Sequence, residues 1–227
     1  MDDAIAGPRT ALLAGATGLI GRALLSMLLE DAGYRRVHVL LRRVAPEIEA
    51  GSKLEVHRVD FAHLPAALPA TDDVYIALGT TIKSAGSEAA FRQVDFDFVL
   101  ETARAARVAG AYRLAVVSAL GADPASRVFY NRVKGDMQAA VATLGYASVV
   151  IAQPSLLLGD RAALGQPARA GEQWAARLLG PTRWLVPKAV RPIEAWMVAK
   201  ALLAAMRNPK PGVRILKSGD MQARDQR

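Results

Sequence analysis

Apolar residues along this chain fall into two alternating patterns: short unbroken runs, and longer stretches where they recur every three to four positions. Runs over 10–14, 37–41, 54–59, 74–78, 114–118 and 148–152 read as strands, and their continuous apolar character points to burial on both faces. Stretches over 19–31, 87–108 and 128–144 read as helices. In the first, Leu24, Leu25, Leu28 and Leu29 share one face; in the second, Phe91, Val94 and Phe98 are expected inside. Strands alternating with helices predict an α/β fold, a doubly wound, mostly parallel sheet covered on both sides.

The regularity falls away after Pro154. Trp174, Trp184 and Trp196 appear among Gly, Pro and Arg, which suggests substrate or lid segments over 155–196. A helix over 193–207 and a strand over 213–216 then return to the core, and the polar tail beyond Gly219 is expected to be disordered. No repeat or linker divides the 227 residues, so a single domain with a small C-terminal lid is expected.

Composition narrows the function. The chain has no cysteine, which excludes disulfides and thiolate metal sites. His38, His57 and His63 are not spaced like metal ligands, so no metal is expected. The acidic start and the lack of a long apolar run predict no secretory signal and no membrane span. A cytoplasmic enzyme is the expectation. The net charge of +8 raises the question of a polyanionic partner. Its arginines are scattered without interleaved aromatics or a reader motif, so nucleic-acid binding is not expected.

Gly15-Ala16-Thr17-Gly18-Leu19-Ile20-Gly21 joins the first strand to the first helix. Gly15 permits a tight turn, Gly18 lets backbone approach a pyrophosphate, and Gly21 lets the helix pack closely on the sheet. A helix N-terminus then offers N–H groups and positive partial charge to phosphate. A glycine triplet alone is weak, but this one lies between an apolar strand and an amphipathic helix, the context of a Rossmann dinucleotide site. The second strand runs into Arg42-Arg43, where an acid would suit the ribose hydroxyls of NAD(H). Guanidinium groups there suit a 2′-phosphate and point to NADP(H) in preference to NAD(H). Asp60, just past the third strand, is placed to reach the adenine amino group or to cap a local turn.

Tyr130 and Lys134 lie one helical turn apart, so their side chains share a face. A phenol is a poor acid-base catalyst at neutral pH, and a neighbouring ammonium favours its ionised form. Ser118, at the carboxyl end of the fifth strand, stands where open α/β sheets bind ligands and where a substrate carbonyl could be polarised. With five tyrosines and seven lysines in the chain, the spacing arises by chance in about one such sequence in six or seven. Its placement after the fifth strand, twelve residues beyond Ser118, is the more telling feature.

Together these features resemble the short-chain dehydrogenase/reductase superfamily in its extended or atypical branch. Ala77-Leu78-Gly79-Thr80-Thr81, Phe91-Arg92-Gln93-Val94-Asp95, Val117-Ser118-Ala119-Leu120-Gly121-Ala122, Tyr130-Asn131-Arg132-Val133-Lys134-Gly135 and Pro154-Ser155-Leu156-Leu157-Leu158-Gly159-Asp160 are similar to the small Tat-interacting oxidoreductase-like proteins and their bacterial relatives. The resemblance implies that Ser118, Tyr130 and Lys134 are catalytic, and that Gly15, Thr17, Gly18, Leu19 and Ile20 contact the pyrophosphate. It further implies that Asp60 and Phe61 border the adenine, that Leu78, Gly79 and Thr80 flank the ribose, and that Pro154, Ser155 and Leu156 lie near the nicotinamide. One departure stands out: Gly79-Thr80-Thr81 replaces an Asn-Ala-Gly-like turn, and no asparagine can be assigned to the catalytic position.

An NADPH-dependent carbonyl reductase is therefore the leading expectation, with a small-molecule substrate. An NADPH-binding sensor or scaffold without turnover, and a nucleotide-sugar epimerase-like enzyme, are the alternatives. The three tryptophans with Leu178, Leu179 and Leu185 could wall an apolar pocket, although at least two of the three are expected in the core. Arg161, Arg169, Arg177 and Arg183 could bind an anion or simply solvate the lid. A homodimer through the helices over 87–108 and 128–144 is left open.

Overall fold

The computed structural model describes residues 7–158 and 187–223. Each of the apolar runs becomes a strand: β1 (Arg9–Ala14), β2 (Tyr34–Leu41), β3 (Leu54–Arg58), β4 (Asp73–Ile76), β5 (Arg113–Val117) and β6 (Ser148–Gln153). The helices between them are α1 (Leu19–Glu30), α2 (Ile82–Ala85), α3 (Glu88–Arg92), α4 (Phe98–Val108) and α5 (Phe129–Ala142). Short strands β7 (Leu157–Leu158) and β8 (Ile193–Glu194) pair with each other, and α6 (Ala195–Arg207), β9 (Gly212–Lys217) and α7 (Ser218–Ala223) complete the chain.

Seven strands form one sheet in the order β3-β2-β1-β4-β5-β6-β9, every neighbouring pair parallel. Helices make the crossovers from β1 to β2, β4 to β5, β5 to β6 and β6 to β9, loops make those from β2 to β3 and β3 to β4, and the alternation of side chains along a strand divides the core in two. On one face Ala11, Leu13, Val37, Val39, Tyr75 and Val150 pack under α1 and α6. On the other, Leu12, Ala14, Leu40, Val74, Leu114 and Ile151 pack under α4 and α5. The order reverses between β1 and β4, so their carboxyl ends diverge into a crevice. No described helix is long and apolar enough to cross a membrane.

Several expectations from sequence need correction. The helix over 87–108 is interrupted by a π turn at Gln93–Asp97. The extra residue in that turn rotates the faces, so Phe91 is buried as expected, but Asp95 and Val99 take the inner positions while Val94 and Phe98 are half-buried. The helix expected from 193 starts at Ala195, because Ile193 and Glu194 pair with β7 instead. Of the tail expected to be disordered beyond Gly219, residues 220–223 belong to α7, anchored by the buried Met221 and Ser218, and the rest lies outside the described residues. Trp196 is 41% exposed, with the Lys200 ammonium over its ring, so it is not a core residue. Trp174, Trp184, Leu178, Leu179, Leu185 and the arginines at 161, 169, 177 and 183 lie outside the described residues.

At the amino edge of the sheet, opposite the crevice, Asp73 is fully buried between Arg9 (2.9 Å) and Arg113 (3.4 Å). It also accepts a hydrogen bond from the Tyr34 hydroxyl, which in turn touches the Tyr75 hydroxyl at 2.8 Å. Burial pushes the Asp73 carboxyl up to about 6, against the pull of Arg9 and the Tyr34 hydrogen bond. An unfolded aspartate releases its proton near ~3.9, so between these values the folded chain holds the additional proton. This contribution to stability is complete below the unfolded value and is lost as pH rises through about 6. Urea midpoints measured from pH 4 to 7 are therefore expected to carry a falling component of up to about 3 kcal/mol that Asp73→Asn removes. Identical pH slopes in both proteins would contradict this account.

Candidate functional site

β1 ends at Ala14, and the chain turns at Gly15 with φ +92°, a region that disfavours any side chain. A Cβ on Gly15 would lie 2.5 Å from the Ala77 carbonyl, and one on Gly21 would lie 1.9 Å from the Gly15 oxygen. Both glycines are thus required by backbone packing between β1, α1 and the end of β4. Gly18 differs: a Cβ there meets only the Gly15 oxygen, at 3.5 Å, so the space above it is open. α1 begins directly after it with no side-chain cap and no acid in its first turn. Its N–H groups are left to an anion from outside the helix.

These residues wall a crevice of about 840 Å³ along the carboxyl edge, within the range of ~300–1,000 Å³ usual for ligand sites. Of the residues named from sequence, Gly15, Thr17, Gly18, Leu19 and Ile20 line one part of it, and Arg42, Arg43 and Phe61 another. Leu78, Gly79 and Thr80 follow β4 along its wall, with Ser118, Tyr130 and Lys134 beyond them. Five positions fall outside this lining. Gly21 serves packing alone. Asp60 takes its alternative role, its carboxylate accepting from the Ala62 N–H (2.9 Å) and pairing with His63 (3.0 Å) in an exposed turn. Pro154, Ser155 and Leu156 are also outside; the Ser155 hydroxyl donates to the Arg191 carbonyl and meets Ser218, while Leu157 reaches the crevice instead. An open glycine cradle, an uncapped helix end and an elongated crevice with arginines at its rim fit a dinucleotide.

Tyr130 and Lys134 lie a turn apart on α5, whose approach to the preceding loop depends on Gly135: a Cβ there would sit 2.2 Å from the backbone of Asp123 and Pro124. The Tyr130 ring rests on Phe91, 5.2 Å between centroids. Lys134 is only 3% exposed. A buried ammonium needs an anion, and Asp95 supplies it from the π turn at 2.8 Å. The other Asp95 oxygen accepts the Thr80 N–H at 2.8 Å. Gly79 leaves room for this pair, since a Cβ there would come within 3.3 Å of Asp95 and 3.9 Å of Lys134. Asp95 is the functional residue that sequence reasoning missed, and the signal was an acid in a helix otherwise directed inward.

Ser118 follows β5 and is 4% exposed. Its oxygen accepts from the Gln138 side chain (2.6 Å), whose own oxygen accepts from Gln153 (3.1 Å). A hydroxyl held as acceptor on one side keeps its hydrogen to donate elsewhere. The crevice therefore combines an anion cradle, a fixed cation, a phenol and an oriented hydroxyl.

Comparison with known proteins agrees with this geometry. Residues 15–156 match the family model described as NAD(P)H-binding. Among curated proteins, "Protein HTATIP2" of Rattus norvegicus is 32% identical over 210 residues, 90% of this chain and 84% of that one. "Protein FMP52, mitochondrial" of Eremothecium gossypii is 36% identical over 152 residues, 66% of this chain and 67% of that one. Among solved structures, MoeE5 in complex with UDP-glucuronic acid and NAD superposes with a TM-score of 0.70 at 19% identity, over 91% of this chain and 75% of that one. That likeness concerns the fold. The expectation of a cytoplasmic location is overturned by the curated relatives, several of which are named as mitochondrial proteins.

The two kinds of glycine are expected to separate on substitution. Gly21→Ala forces backbone apart and should lower the thermal midpoint by several degrees, in line with ~1–3 kcal/mol for overpacking. Gly18→Ala should leave the midpoint nearly unchanged and weaken nicotinamide-dinucleotide binding about tenfold or more, as read by calorimetry. Equal thermal losses in the two variants would refute the distinction.

Proposed function

The chain belongs to the NAD(P)H-binding family, and from that premise we propose that it is an NADP(H)-dependent oxidoreductase that reduces a carbonyl group on a small-molecule substrate. The observation that carries this reading is the nearly inaccessible Lys134, paired with Asp95 in the crevice wall one turn from Tyr130. A structural ion pair has no need of a phenol beside it or of a ligand-sized crevice in front of it.

When bound, the reduced nicotinamide supplies the hydride. The protein supplies the rest. Ser118, its oxygen held by Gln138, donates a hydrogen bond to the carbonyl oxygen and favours the charge that develops there. Tyr130 donates the proton that this oxygen takes up. Lys134 places a cation on the same helix face as the phenol, and Asp95, 2.8 Å away, holds that ammonium in position. Arg42 and Arg43, both exposed at the crevice rim and without an ion pair among the described residues, hold the 2′-phosphate that distinguishes NADP(H) from NAD(H). The two residues directly after β2 are these arginines rather than an acid, and Glu47, farther along the lining, is paired with Arg22.

Two measurements test the assignment. Tyr130→Phe should lower NADPH-dependent reduction of a carbonyl panel by roughly 10²–10⁴-fold while NADPH affinity stays within about twofold. Undiminished turnover in that variant, or NADPH binding by the wild type with no consumption across the panel, would overturn the enzymatic reading. The pair Arg42→Ala and Arg43→Ala should weaken NADPH about tenfold or more, as expected for ~1.5–3 kcal/mol per charged hydrogen bond, and leave NADH affinity unaltered. An equal loss for both cofactors would argue against 2′-phosphate recognition.

A further inference from the structure

His38 and His57 are nineteen residues apart in sequence, yet β2 and β3 bring them together. In the parallel register His38 lies beside Glu55 and Leu40 beside His57, so all three polar side chains emerge on the same face. Their donor atoms converge. His38 Nδ1 is 2.9 Å from His57 Nε2 and 3.3 Å from the Glu55 Oε2 atom, which is itself 3.9 Å from His57 Nε2. A point equidistant from three atoms so separated lies about 2.0 Å from each, the length of zinc bonds to imidazole nitrogen and carboxylate oxygen, ~2.0–2.2 Å.

From this geometry we propose that His38, Glu55 and His57 form a binding site for one divalent transition cation, with zinc as its representative. Two imidazoles and a carboxylate are a donor set suited to such ions, whereas calcium and magnesium want oxygen alone. A hydrogen bond between the two rings accounts for one of the three close approaches. The Glu55 oxygen approaches His38 Nδ1 as well, so one ring nitrogen faces two acceptor atoms, and a cation serves all three donors at once. His38 is nearly buried, with a side-chain exposure of 7%, while Glu55 and His57 are 40% and 32% exposed. One side of the site is therefore open to water, which completes the coordination. The second Glu55 oxygen is held by Arg36, which orients the carboxylate.

The site is separate from the dinucleotide crevice and does not depend on the function proposed above. β3 is an edge strand, held to the sheet by β2 alone. A cation shared between His38 on one strand and Glu55 and His57 on the other clips that edge, just before the chain reaches Arg42 and Arg43.

The test uses the full chain stripped with a chelator and titrated with zinc chloride against a chromogenic zinc indicator, with thermal unfolding followed in parallel. One equivalent should bind, and the thermal midpoint should rise. His57→Gln and Glu55→Gln, at partly exposed positions that tolerate change, should each weaken that equivalent by more than about 100-fold, beyond the ~10–100-fold lost when only a ligand's hydrogen-bond partner is removed. Both should abolish the thermal rise while keeping the metal-free midpoint close to that of the wild type. His63→Gln, at the exposed turn beside Asp60, should change neither. Cobalt substituted for zinc should show visible absorption bands in the wild type that disappear in His57→Gln. Absence of binding at micromolar zinc, or undiminished binding in both ligand variants, would overturn the proposal.

Discussion

A buried ammonium cannot be left alone. Lys134 lies in the wall of the crevice with almost no contact with water, and the chain answers with Asp95, whose carboxylate touches the ammonium with one oxygen and the Thr80 N–H with the other. Losing one partner of such a pair costs on the order of 3–5 kcal/mol, so three separate segments are held to a common point: the π turn, the end of β4 and α5. The π turn itself follows from this demand. A regular helix places apolar residues inward at this level, and one extra residue rotates Asp95 into their place. Local helical regularity is given up where the site is built, a common location for such turns.

The glycine turn meets the opposite need. Where Lys134 requires a partner, the start of α1 requires none, because its partner is to arrive from solution. No side chain caps the helix and no acid stands in its first turn. The dipole of the helix and its free N–H groups are thus reserved for phosphate. Gly15 and Gly21 make this end of α1 approach the sheet so closely that backbone meets backbone. The two halves of the crevice are electrostatically complementary to a dinucleotide: positive at the helix end and arginine rim, with a cation and hydrogen-bond donors at the reactive end.

Strands and most helices were legible because parallel strands are buried on both faces and advertise it as unbroken apolar runs. The glycine spacing, the arginine pair and the Ser118, Tyr130 and Lys134 set were legible for a related reason: each is local, lying within one turn or at one strand end. Asp95 was not. Its acidic side chain in a helical stretch reads as solvent-exposed, and only the approach of α5 reveals the buried cation it serves. Asp60 was legible only as two alternatives, because whether an acid after a strand reaches a ligand or caps its own turn depends on a few ångströms of loop path. The first residues of the tail, up to Ala223, were misread since the two residues that anchor them, Ser218 and Met221, do not form a pattern long enough to show periodicity.

The amino-acid sequence by itself determined the order of strands and helices, the turn that must be glycine and the chemical groups available at the carboxyl edge, because each follows from neighbours within a few positions along the chain. Tertiary structure alone decided which groups meet. The partnership of Lys134 with Asp95, the burial of Asp73 between two arginines and the meeting of His38 with His57 across two strands all join residues far apart in sequence. Such contacts depend on how strands align and helices rotate, and alignment is settled by the packing of the whole core rather than by any segment of it.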